Sequence, residues 1–263
     1  MTSIKGKVVW ITGASSGIGE ELAYQLAQKG AILILSARRM EKLNQVRDRC
    51  RAEHNAQAVV YPLDMTDLEA IDEAVSYLLS KFSHIDILIN NAGFGHTQSF
   101  LDYDIKKAEN MFQVNVLGLM YLSQLVGKNM RQFEKGHIVN VASVAGKVAT
   151  PKSAVYSASK FAVTGFTNAL RMELKPHNIK VTAINPGPVD TAFFDEFDPS
   201  GEYLDNVSSV VLTSEYVVNK TIRAIETNKR EINLPKRLAV GSKIHTIAPA
   251  FGDFFIRTAF NKK

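Results

Sequence analysis

The chain has 263 residues, of which 46% are hydrophobic and 22% are charged. This balance is ordinary for a globular domain with a substantial core, and it excludes a disordered chain. The single cysteine, Cys50, excludes an intramolecular disulfide and a cysteine-based metal cluster, and it fits a reducing compartment. The net charge of +5 is scattered without a zinc-finger or ribonucleoprotein motif, so we do not expect nucleic acid as a partner.

No segment of the sequence approaches the roughly 20 apolar residues that a membrane-spanning helix needs. The apolar stretch near the N-terminus is short and runs directly into a glycine-rich segment, which favours a strand over a secretory signal peptide. We therefore expect a soluble protein located in the cytoplasm.

Short runs rich in β-branched residues alternate with longer amphipathic segments along most of the chain. The predicted strands are residues 7–12, 31–37, 57–63, 85–90, 136–141, 180–184 and 231–234. The predicted helices are residues 18–29, 40–54, 67–82, 104–133, 154–175 and 214–228. Nearly continuous apolar strands are typical of a parallel sheet covered on both faces. The alternation predicts an α/β fold with a doubly wound, mostly parallel, seven-stranded sheet of Rossmann type in one domain, residues 1–263.

Two segments interrupt this alternation. The connection at about residues 190–213 is unusually long for a compact domain, and we interpret it as a substrate lid. Residues 235–263 form an irregular C-terminal tail, although phenylalanines after residue 250 recur at near-helical spacing. Because the tail ends in basic residues, it could lie on a membrane surface, cover another subunit or fold back on the domain.

A glycine-rich segment follows the first predicted strand and precedes the first predicted helix. It reads Thr-Gly-Ala-Ser-Ser-Gly-Ile-Gly over residues 12–19. Glycines permit a tight turn close to a pyrophosphate, and the helix N-terminus offers free N–H groups to the phosphates. A P-loop is disfavoured, since no Gly-Lys-Ser/Thr follows. The segment predicts a nucleotide site that contains Gly13, Ser15, Ser16, Gly17, Ile18 and Gly19.

The residues after the second predicted strand bear on which dinucleotide binds. The strand ends at Ala37 and is followed by Arg38 and Arg39. A site selective for NAD carries an acidic residue at this strand end, where it hydrogen-bonds the ribose hydroxyls. A guanidinium can instead hold a 2′-phosphate with paired hydrogen bonds. The sequence favours NADP(H), with Arg38 as the stronger candidate, although both arginines could also be solvated residues at the start of a helix.

A tyrosine and a lysine lie one turn apart in the predicted helix 154–175. Tyr156 and Lys160 therefore share one face of that helix. An ammonium beside a phenol lowers the pKa of the hydroxyl and so makes tyrosine a better proton donor and acceptor near neutrality. Such pairs also occur on helices without a catalytic role, so the pair alone is weak support for catalysis.

The spacing Gly-x-x-x-Gly-x-Gly after a threonine, together with Tyr-x-x-x-Lys, resembles the short-chain dehydrogenase/reductase family. The resemblance spans residue 7 to about residue 191, and it includes Asn-Asn-Ala-Gly at 90–93 and Asn-Pro-Gly-Pro-Val-Asp-Thr at 185–191. It implies a catalytic tetrad of Asn115, Ser143, Tyr156 and Lys160. It also implies that further residues contact the cofactor, namely Asp64, Asn90, Ala92, Gly93, Tyr156, Lys160, Pro186, Gly187, Val189 and Thr191.

The resemblance implies an oxidoreductase that interconverts an alcohol and a carbonyl compound. Ser143 would hold the substrate oxygen, Tyr156 would donate or accept its proton, and Lys160 would hold the cofactor ribose. Asn115 would anchor a water molecule that relays protons from Lys160 to solvent. Direct hydride transfer needs no metal, and the six histidines have no metal-ligand spacing.

The substrate and the assembly are less sharply defined. Phe193, Phe194 and Phe197 in the lid favour an apolar ketone or aldehyde, although they could equally hold the lid on the domain. Family members usually assemble through helices that correspond to residues 104–133 and 154–175. This implies a homodimer or homotetramer and favours self-association over membrane contact for the tail. Two alternative functions remain: an NADPH-binding sensor without turnover, and an NAD-linked alcohol dehydrogenase.

Overall fold

Seven parallel strands form the central sheet of the protein, whose computed structural model describes residues 3–198 and 210–260. The described strands are β1 (Val8–Thr12), β2 (Ile32–Ala37), β3 (Ala58–Pro62), β4 (Ile87–Asn90), β5 (Gly136–Val141), β6 (Ile179–Pro186), β7 (Val189–Asp190), β8 (Leu212–Thr213) and β9 (Glu231–Leu234). The sheet order is β3-β2-β1-β4-β5-β6-β9, and each neighbouring pair is parallel. The predicted seven-stranded sheet is confirmed, while β7 and β8 form a separate parallel ribbon.

Helices cover both faces of this sheet. They are α1 (Gly17–Gln28), α2 (Met40–His54), α3 (Leu68–Phe82), α4 (Ile105–Phe112), α5 (Leu119–Gln132), α6 (Ala154–Leu174), α7 (Phe193–Phe197), α8 (Ser214–Glu226), α9 (Lys236–Ile247) and α10 (Pro249–Phe260). On one face α1 packs against α2 and α8, and on the other α3 packs against α5. This arrangement is the predicted doubly wound, Rossmann-type α/β fold in a single domain.

Strand β1 illustrates why the apolar runs become central strands. Val9 and Ile11 are fully buried in the core on the α1 side, whereas Trp10 is fully buried in the core on the α3 side. Successive strand residues point to opposite faces, so a strand with helices on both sides must be apolar at every position. The one polar atom of Trp10 is satisfied, because its Nε1 donates to Ser36 Oγ at 3.0 Å.

The helix predicted over residues 104–133 differs in its middle part. A π-helical turn at Gln113–Gly118 separates α4 from α5, and it contains Asn115. Turns of this kind widen a helix by one residue and are frequent at functional sites. The apolar periodicity continues on both sides of the turn, so the pattern predicts a single uninterrupted helix.

The tail and the lid contain structure that the sequence pattern does not predict. Helix α9 lies in a segment that the sequence predicts to be irregular. The pattern does not predict this helix because its apolar residues do not form one buried stripe. Of the predicted lid, the structure describes β7, α7 and β8, while residues 199–209 lie outside the described residues. Among the helices described, none is both long enough and apolar enough to span a membrane.

Candidate active site

A cavity of about 810 Å³ lies at the carboxyl-terminal edge of the sheet. Its walls come from the loop after β1, the segments that follow β4, β5 and β6, and parts of α7, α9 and α10. The chain order of the strands reverses between β1 and β4, and open parallel sheets bind their ligands at such a point. The fold therefore directs attention to this cavity as the functional site.

Most residues that the sequence predicts for the site line this one cavity. They are Gly13, Ser15, Ser16, Gly17, Ile18, Arg38, Arg39, Asp64, Ala92, Gly93, Ser143, Tyr156, Lys160, Pro186, Gly187, Val189 and Thr191. Three others, Gly19, Asn90 and Asn115, do not belong to its described lining. The predicted glycine loop and the predicted catalytic residues thus share one space, with a few supporting residues behind it.

The glycine loop after β1 is shaped by contact with the turn after β4. Gly13 has a φ of +67°, in the left-handed region, and a Cβ there would lie 2.9 Å from Ala92 Cα. The Asn91 side chain donates to the carbonyl oxygens of Thr12 (3.0 Å) and Gly13 (3.2 Å). Gly19 supports the loop from behind, because a Cβ on it would overlap the Gly13 carbonyl oxygen. The two turns fix each other at the cavity wall.

The N-terminus of α1 has the properties of a phosphate site. Ser16 is its N-cap, but the Ser16 side chain makes no capping hydrogen bond. Arg39 Nη2 instead donates to the hydroxyls of Ser16 (2.9 Å) and Ser15 (3.2 Å). Uncapped N–H groups at a helix start favour an anion, and the adjacent guanidinium adds positive charge. The residues present therefore fit a dinucleotide with its phosphates at this end of the cavity.

The ends of β2 and β3 border the same end of the cavity. Arg38 and Arg39 directly follow β2, and both line the cavity. Asp64, beyond the end of β3, accepts hydrogen bonds on one carboxylate oxygen from the backbone N–H and the hydroxyl of Thr66, both at 2.9 Å. Asp64 is therefore held in place. The positions after β2 carry arginines rather than an acidic residue.

Ser143 lies on the opposite wall, directly after β5. It begins the 3₁₀ turn Val144–Gly146, and its Oγ accepts from Ala145 N at 3.0 Å. The same hydroxyl donates to the Pro186 carbonyl oxygen over a long distance of 3.4 Å. A bond of this length is weak, so the hydroxyl hydrogen is readily exchanged to another acceptor.

Tyr156 and Lys160 are one turn apart on α6, as predicted, and both are buried while lining the cavity. Lys160 Nζ lies 5.7 Å from the centre of the Tyr156 ring and donates to the Val141 carbonyl oxygen at 3.3 Å. Burial lowers the pKa of the Lys160 ammonium to about 8, because desolvation penalises the charged form. A ligand that supplies oxygen acceptors here would stabilise that charge.

An aromatic cluster encloses the Tyr156 ring. The ring meets Phe197 edge to face at 5.2 Å and lies 6.0 Å from Phe193, both on α7. On a further side is Gly95, where a Cβ would lie 2.5 Å from Tyr156 Cδ2 and 2.9 Å from Phe197 Cδ2. Gly95 is not predicted from the sequence, because a glycine beside Asn-Asn-Ala-Gly is typical of a turn. The structure makes it a direct neighbour of the tyrosine ring.

Asn115 lies behind the cavity wall, on the π-helical turn. Its Oδ1 accepts from Phe94 N at 3.0 Å, and its Nδ2 donates to Phe94 O (2.8 Å) and to Ser159 Oγ (3.2 Å). Both amide hydrogens and one oxygen lone pair are therefore used, so a water bound to Asn115 has only the second lone pair of Oδ1. Asn90 is also a buried support, since its Nδ2 donates to side chains on β5 and α5 at 2.8 Å.

The C-terminal helices contribute a wall of the cavity that the sequence analysis did not predict. The lining residues from this region are Leu238, Gly241, Ser242, Ile244, His245, Phe251 and Gly252. In the structure the C-terminal helices fold back on the domain, which is one of the three possibilities that the sequence leaves open for the tail. The sequence does not distinguish these possibilities, because they depend on long-range contacts.

The sequence of this chain is similar to one protein family and to individual members of it. Residues 7–200 match the sequence model of the short chain dehydrogenase family. The chain is 43% identical over 188 residues to human dehydrogenase/reductase SDR family member 7, a match that covers 70% of this chain and 56% of that protein. It is 37% identical over 200 residues to an uncharacterized oxidoreductase of Staphylococcus aureus strain USA300, covering 76% of this chain and 85% of that one. The match to the human protein thus spans little more than half of its length.

Two solved structures with the same fold are complexes with a nicotinamide cofactor. A short chain dehydrogenase/reductase from Burkholderia phymatum in complex with NAD has a TM-score of 0.88 and 25% identity, over 95% of this chain and 96% of that one. A short-chain dehydrogenase from Sphingobium yanoikuyae in complex with NADPH has a TM-score of 0.80 and 27% identity, over 95% of both chains. Because the two cofactors differ, the preference of this chain depends on its own residues.

Proposed function

Because the chain belongs to the short-chain dehydrogenase/reductase family, we propose that it is an NADP(H)-dependent oxidoreductase acting on an apolar ketone or aldehyde, or on the corresponding alcohol. One observation carries this proposal: the glycine loop and the side chains of Ser143, Tyr156 and Lys160 line a single cavity. A phosphate-binding end and a proton-transfer end in one space suit hydride exchange between a dinucleotide and a small molecule. Turnover of NADPH with such carbonyl compounds tests the assignment.

The residues at the proton-transfer end have complementary tasks in this proposal. A nicotinamide bound here would supply or accept the hydride. Ser143 donates a hydrogen bond to the substrate oxygen in exchange for its long bond to the Pro186 carbonyl oxygen. Tyr156 donates a proton to that oxygen in reduction and removes it in oxidation. Lys160 stabilises the phenolate through its charge and holds the ribose hydroxyls, while Asn115 keeps the Phe94 segment in place against α6.

The remaining site residues divide between the parts of the cofactor. We assign the pyrophosphate to the glycine loop and the start of α1, the 2′-phosphate to Arg38 and Arg39, and the adenine to Asp64. The nicotinamide and its ribose are assigned to residues after β4 and β6, namely Ala92, Gly93, Pro186, Gly187, Val189 and Thr191. The uncapped start of α1 and the bonds from Arg39 to Ser15 and Ser16 support the phosphate assignments.

The part of the cavity beyond Tyr156 supports an uncharged, apolar substrate. The apolar residues of its described lining are Phe94, Val144, Val148, Phe193, Phe194, Phe197, Val210, Leu238, Ile244 and Phe251, and they outnumber the polar Thr150, Ser153, Glu196, Ser242 and His245. Among the described lining residues, the only lysines and arginines are Arg38, Arg39 and Lys160, all assigned to the cofactor. A substrate carboxylate or phosphate would therefore lose its hydration without gaining a lysine or arginine partner from this wall.

The two arginines after β2 are expected to set the coenzyme preference. Arg38→Ala and Arg39→Ala should each raise the dissociation constant of NADPH by about tenfold or more, because a charged hydrogen-bond partner of the 2′-phosphate is lost. The dissociation constant of NADH, which lacks this phosphate, should change little. Fluorescence titration with both coenzymes measures the ratio.

A control for this experiment is Arg47→Ala, on α2, where the guanidinium pairs with Asp48 at 2.7 Å and does not line the cavity. Arg47→Ala should leave both dissociation constants unchanged. The proposed coenzyme preference is wrong if the NADPH-to-NADH affinity ratio stays constant in both of the other variants.

Gly95 is expected to position Tyr156 for catalysis. Gly95→Ala places a methyl group against the Tyr156 ring and the Phe197 ring, so the phenol must move. Since small displacements of reacting groups are costly, kcat should fall at least about tenfold while the NADPH dissociation constant stays the same. Gly165→Ala on α6 is the matched control, because a Cβ there has open space. Unchanged kcat in Gly95→Ala would contradict the positioning role.

The proposal includes a homodimer or homotetramer that forms through the helices α4, α5 and α6. Large apolar side chains are exposed on or between these helices in the single chain, namely Ile105, Leu117, Phe161 and Met172. Exposed apolar groups of this size on neighbouring helices are typical of protein interfaces.

A further inference from the structure

The C-terminal hairpin, which consists of α9 and α10, lies at the opening of the cavity. Ile244 and Phe251 both line the cavity, yet they are 46% and 57% exposed. The two helices are joined by a hydrogen bond between His245 Nε2 and Asp253 Oδ1 at 2.9 Å. The hairpin therefore has one side toward the cavity and another toward the surroundings, and Ile244 and Phe251 lie at the border between the two sides.

The outer side of α9 is basic and apolar at the same time. Lys236, Val240, Lys243, Ile244 and Ile247 are all exposed, Val240 at 58% and Ile247 at 85%. Their spacing of i, i+4, i+7, i+8 and i+11 places them in one stripe along the helix. Lysines beside exposed aliphatic residues can extend their ammonium groups to lipid headgroups while the aliphatic side chains contact the acyl region.

Helix α10 extends this apolar surface. Phe251 and Phe254 are three residues apart, so they lie on one side of the helix, and Phe254 is 65% exposed. Phenylalanine is among the apolar residues that interfacial helices bury at the boundary between headgroups and acyl chains. The hairpin thus presents aliphatic and aromatic groups on its exposed surface.

The net positive charge of the protein comes from this region of the sequence. Residues 235–263 contain six lysines and arginines but one acidic residue, Asp253, which pairs with His245. This surplus of five equals the net charge of the entire chain, so the other residues are balanced. Because the rest of the chain has no net charge, the C-terminal segment is the part of the protein that an anionic surface attracts.

We propose that the outer face of the C-terminal hairpin docks on an anionic lipid bilayer and holds the cavity opening toward the lipid. The sequence alone favours self-association for the tail, but the structure places lysines on the exposed apolar stripe itself. A symmetric contact between two copies would bring Lys236 and Lys243 against the same basic face, which is electrostatically unfavourable. An anionic bilayer complements both the charge and the apolar residues.

Co-sedimentation of the full chain with phosphatidylcholine vesicles, with and without phosphatidylserine, tests this proposal. Binding should require phosphatidylserine and weaken as salt is added. Ile247→Glu and Phe254→Glu should each reduce the partition coefficient at least about tenfold, because an inserted apolar group is lost. Lys243→Gln should reduce it by about fivefold.

The control variant is Leu101→Glu, which removes a large apolar residue that is 93% exposed on the 3₁₀ turn Phe100–Asp102. Its binding should match that of the unmodified protein, and thermal unfolding of each variant verifies that it is folded. Absence of sedimentation with phosphatidylserine vesicles, or equal binding by Ile247→Glu, would overturn the proposal. Conversion of a dimer to a monomer by Ile247→Glu would do the same and would assign the face to self-association. None of these readouts depends on catalysis.

Discussion

Replacing Tyr156 with phenylalanine should reduce carbonyl reduction by about a thousandfold while NADPH binding is retained. Phenylalanine keeps the ring that packs against Phe197 and Gly95, so the cavity keeps its shape. Only the hydroxyl that is proposed to transfer the proton is lost. The kcat/KM from NADPH absorbance and the NADPH dissociation constant from fluorescence separate the two effects.

A matched control for this variant exists in the same aromatic cluster. Tyr103 packs in the cluster that contains Tyr156, and within the described part of the chain its buried hydroxyl has no hydrogen-bond partner. Tyr103→Phe should keep full activity and gain slightly in stability, because an unsatisfied polar group is removed. Activity of Tyr156→Phe within tenfold of the unmodified protein would contradict the proposed role of the phenol. Equal losses in both variants would point to packing instead.

Replacing Lys160 with methionine should abolish turnover and yet stabilise the protein when no cofactor is bound. Burial lowers the pKa of the Lys160 ammonium from an ordinary value of 10.5 to about 8. Below pH 8 the lysine is charged in both the folded and the unfolded chain, and this difference in pKa costs the fold about 3 kcal/mol. Methionine has a similar length without the charge, so the midpoint of thermal unfolding at pH 7 should rise by about 5–10 °C.

The pH dependence of this gain follows from the direction of the shift. Between pH 8 and 10.5 the unfolded chain binds more protons at this lysine than the folded chain does, so stability of the unmodified protein rises with pH. The advantage of Lys160→Met should therefore be full below pH 8 and decline above it. Unfolding midpoints at several pH values measure this trend.

Lys128→Met provides the comparison, because Lys128 is an exposed residue of α5. Its substitution should change the free energy of unfolding by less than about 0.5 kcal/mol at every pH. If Lys160→Met is no more stable than the unmodified protein at pH 7, the ammonium is not strained by burial. We also expect the cofactor affinity of the unmodified protein to fall as the pH rises through about 8, since the ammonium proposed to hold the ribose loses its charge.

The sequence predicts the sheet well because each central strand packs against a hydrophobic core on both of its faces. Val9 and Trp10 lie on opposite faces of β1, and each is fully buried, so the strand is apolar throughout and easily recognised. The glycine loop is recognised for a similar reason. Gly13 needs a positive φ and close contact with Ala92, which restricts the residues that the position accepts.

The features that the sequence does not predict depend on contacts between distant segments. Gly95 matters because Tyr156, far away in the chain, packs against it. The π-helical turn contains Asn115, whose side chain makes two hydrogen bonds to the backbone of Phe94. These bonds do not change the apolar periodicity, so the sequence pattern does not predict the turn. Helix α9 has exposed apolar residues beside lysines, so it lacks the single buried stripe by which helices are recognised.

An assay of NADPH oxidation by the purified protein, over uncharged apolar ketones and aldehydes and their carboxylated analogues, bears on the whole proposal. We expect turnover with the uncharged compounds, slower turnover with the charged ones, and a preference for NADPH over NADH. The cavity supports this order, since the described apolar wall beyond Tyr156 contributes no lysine or arginine for a substrate anion. Tight NADPH binding without turnover of any carbonyl or alcohol would contradict the proposal and favour a sensor. Turnover with NADH alone would contradict the coenzyme assignment.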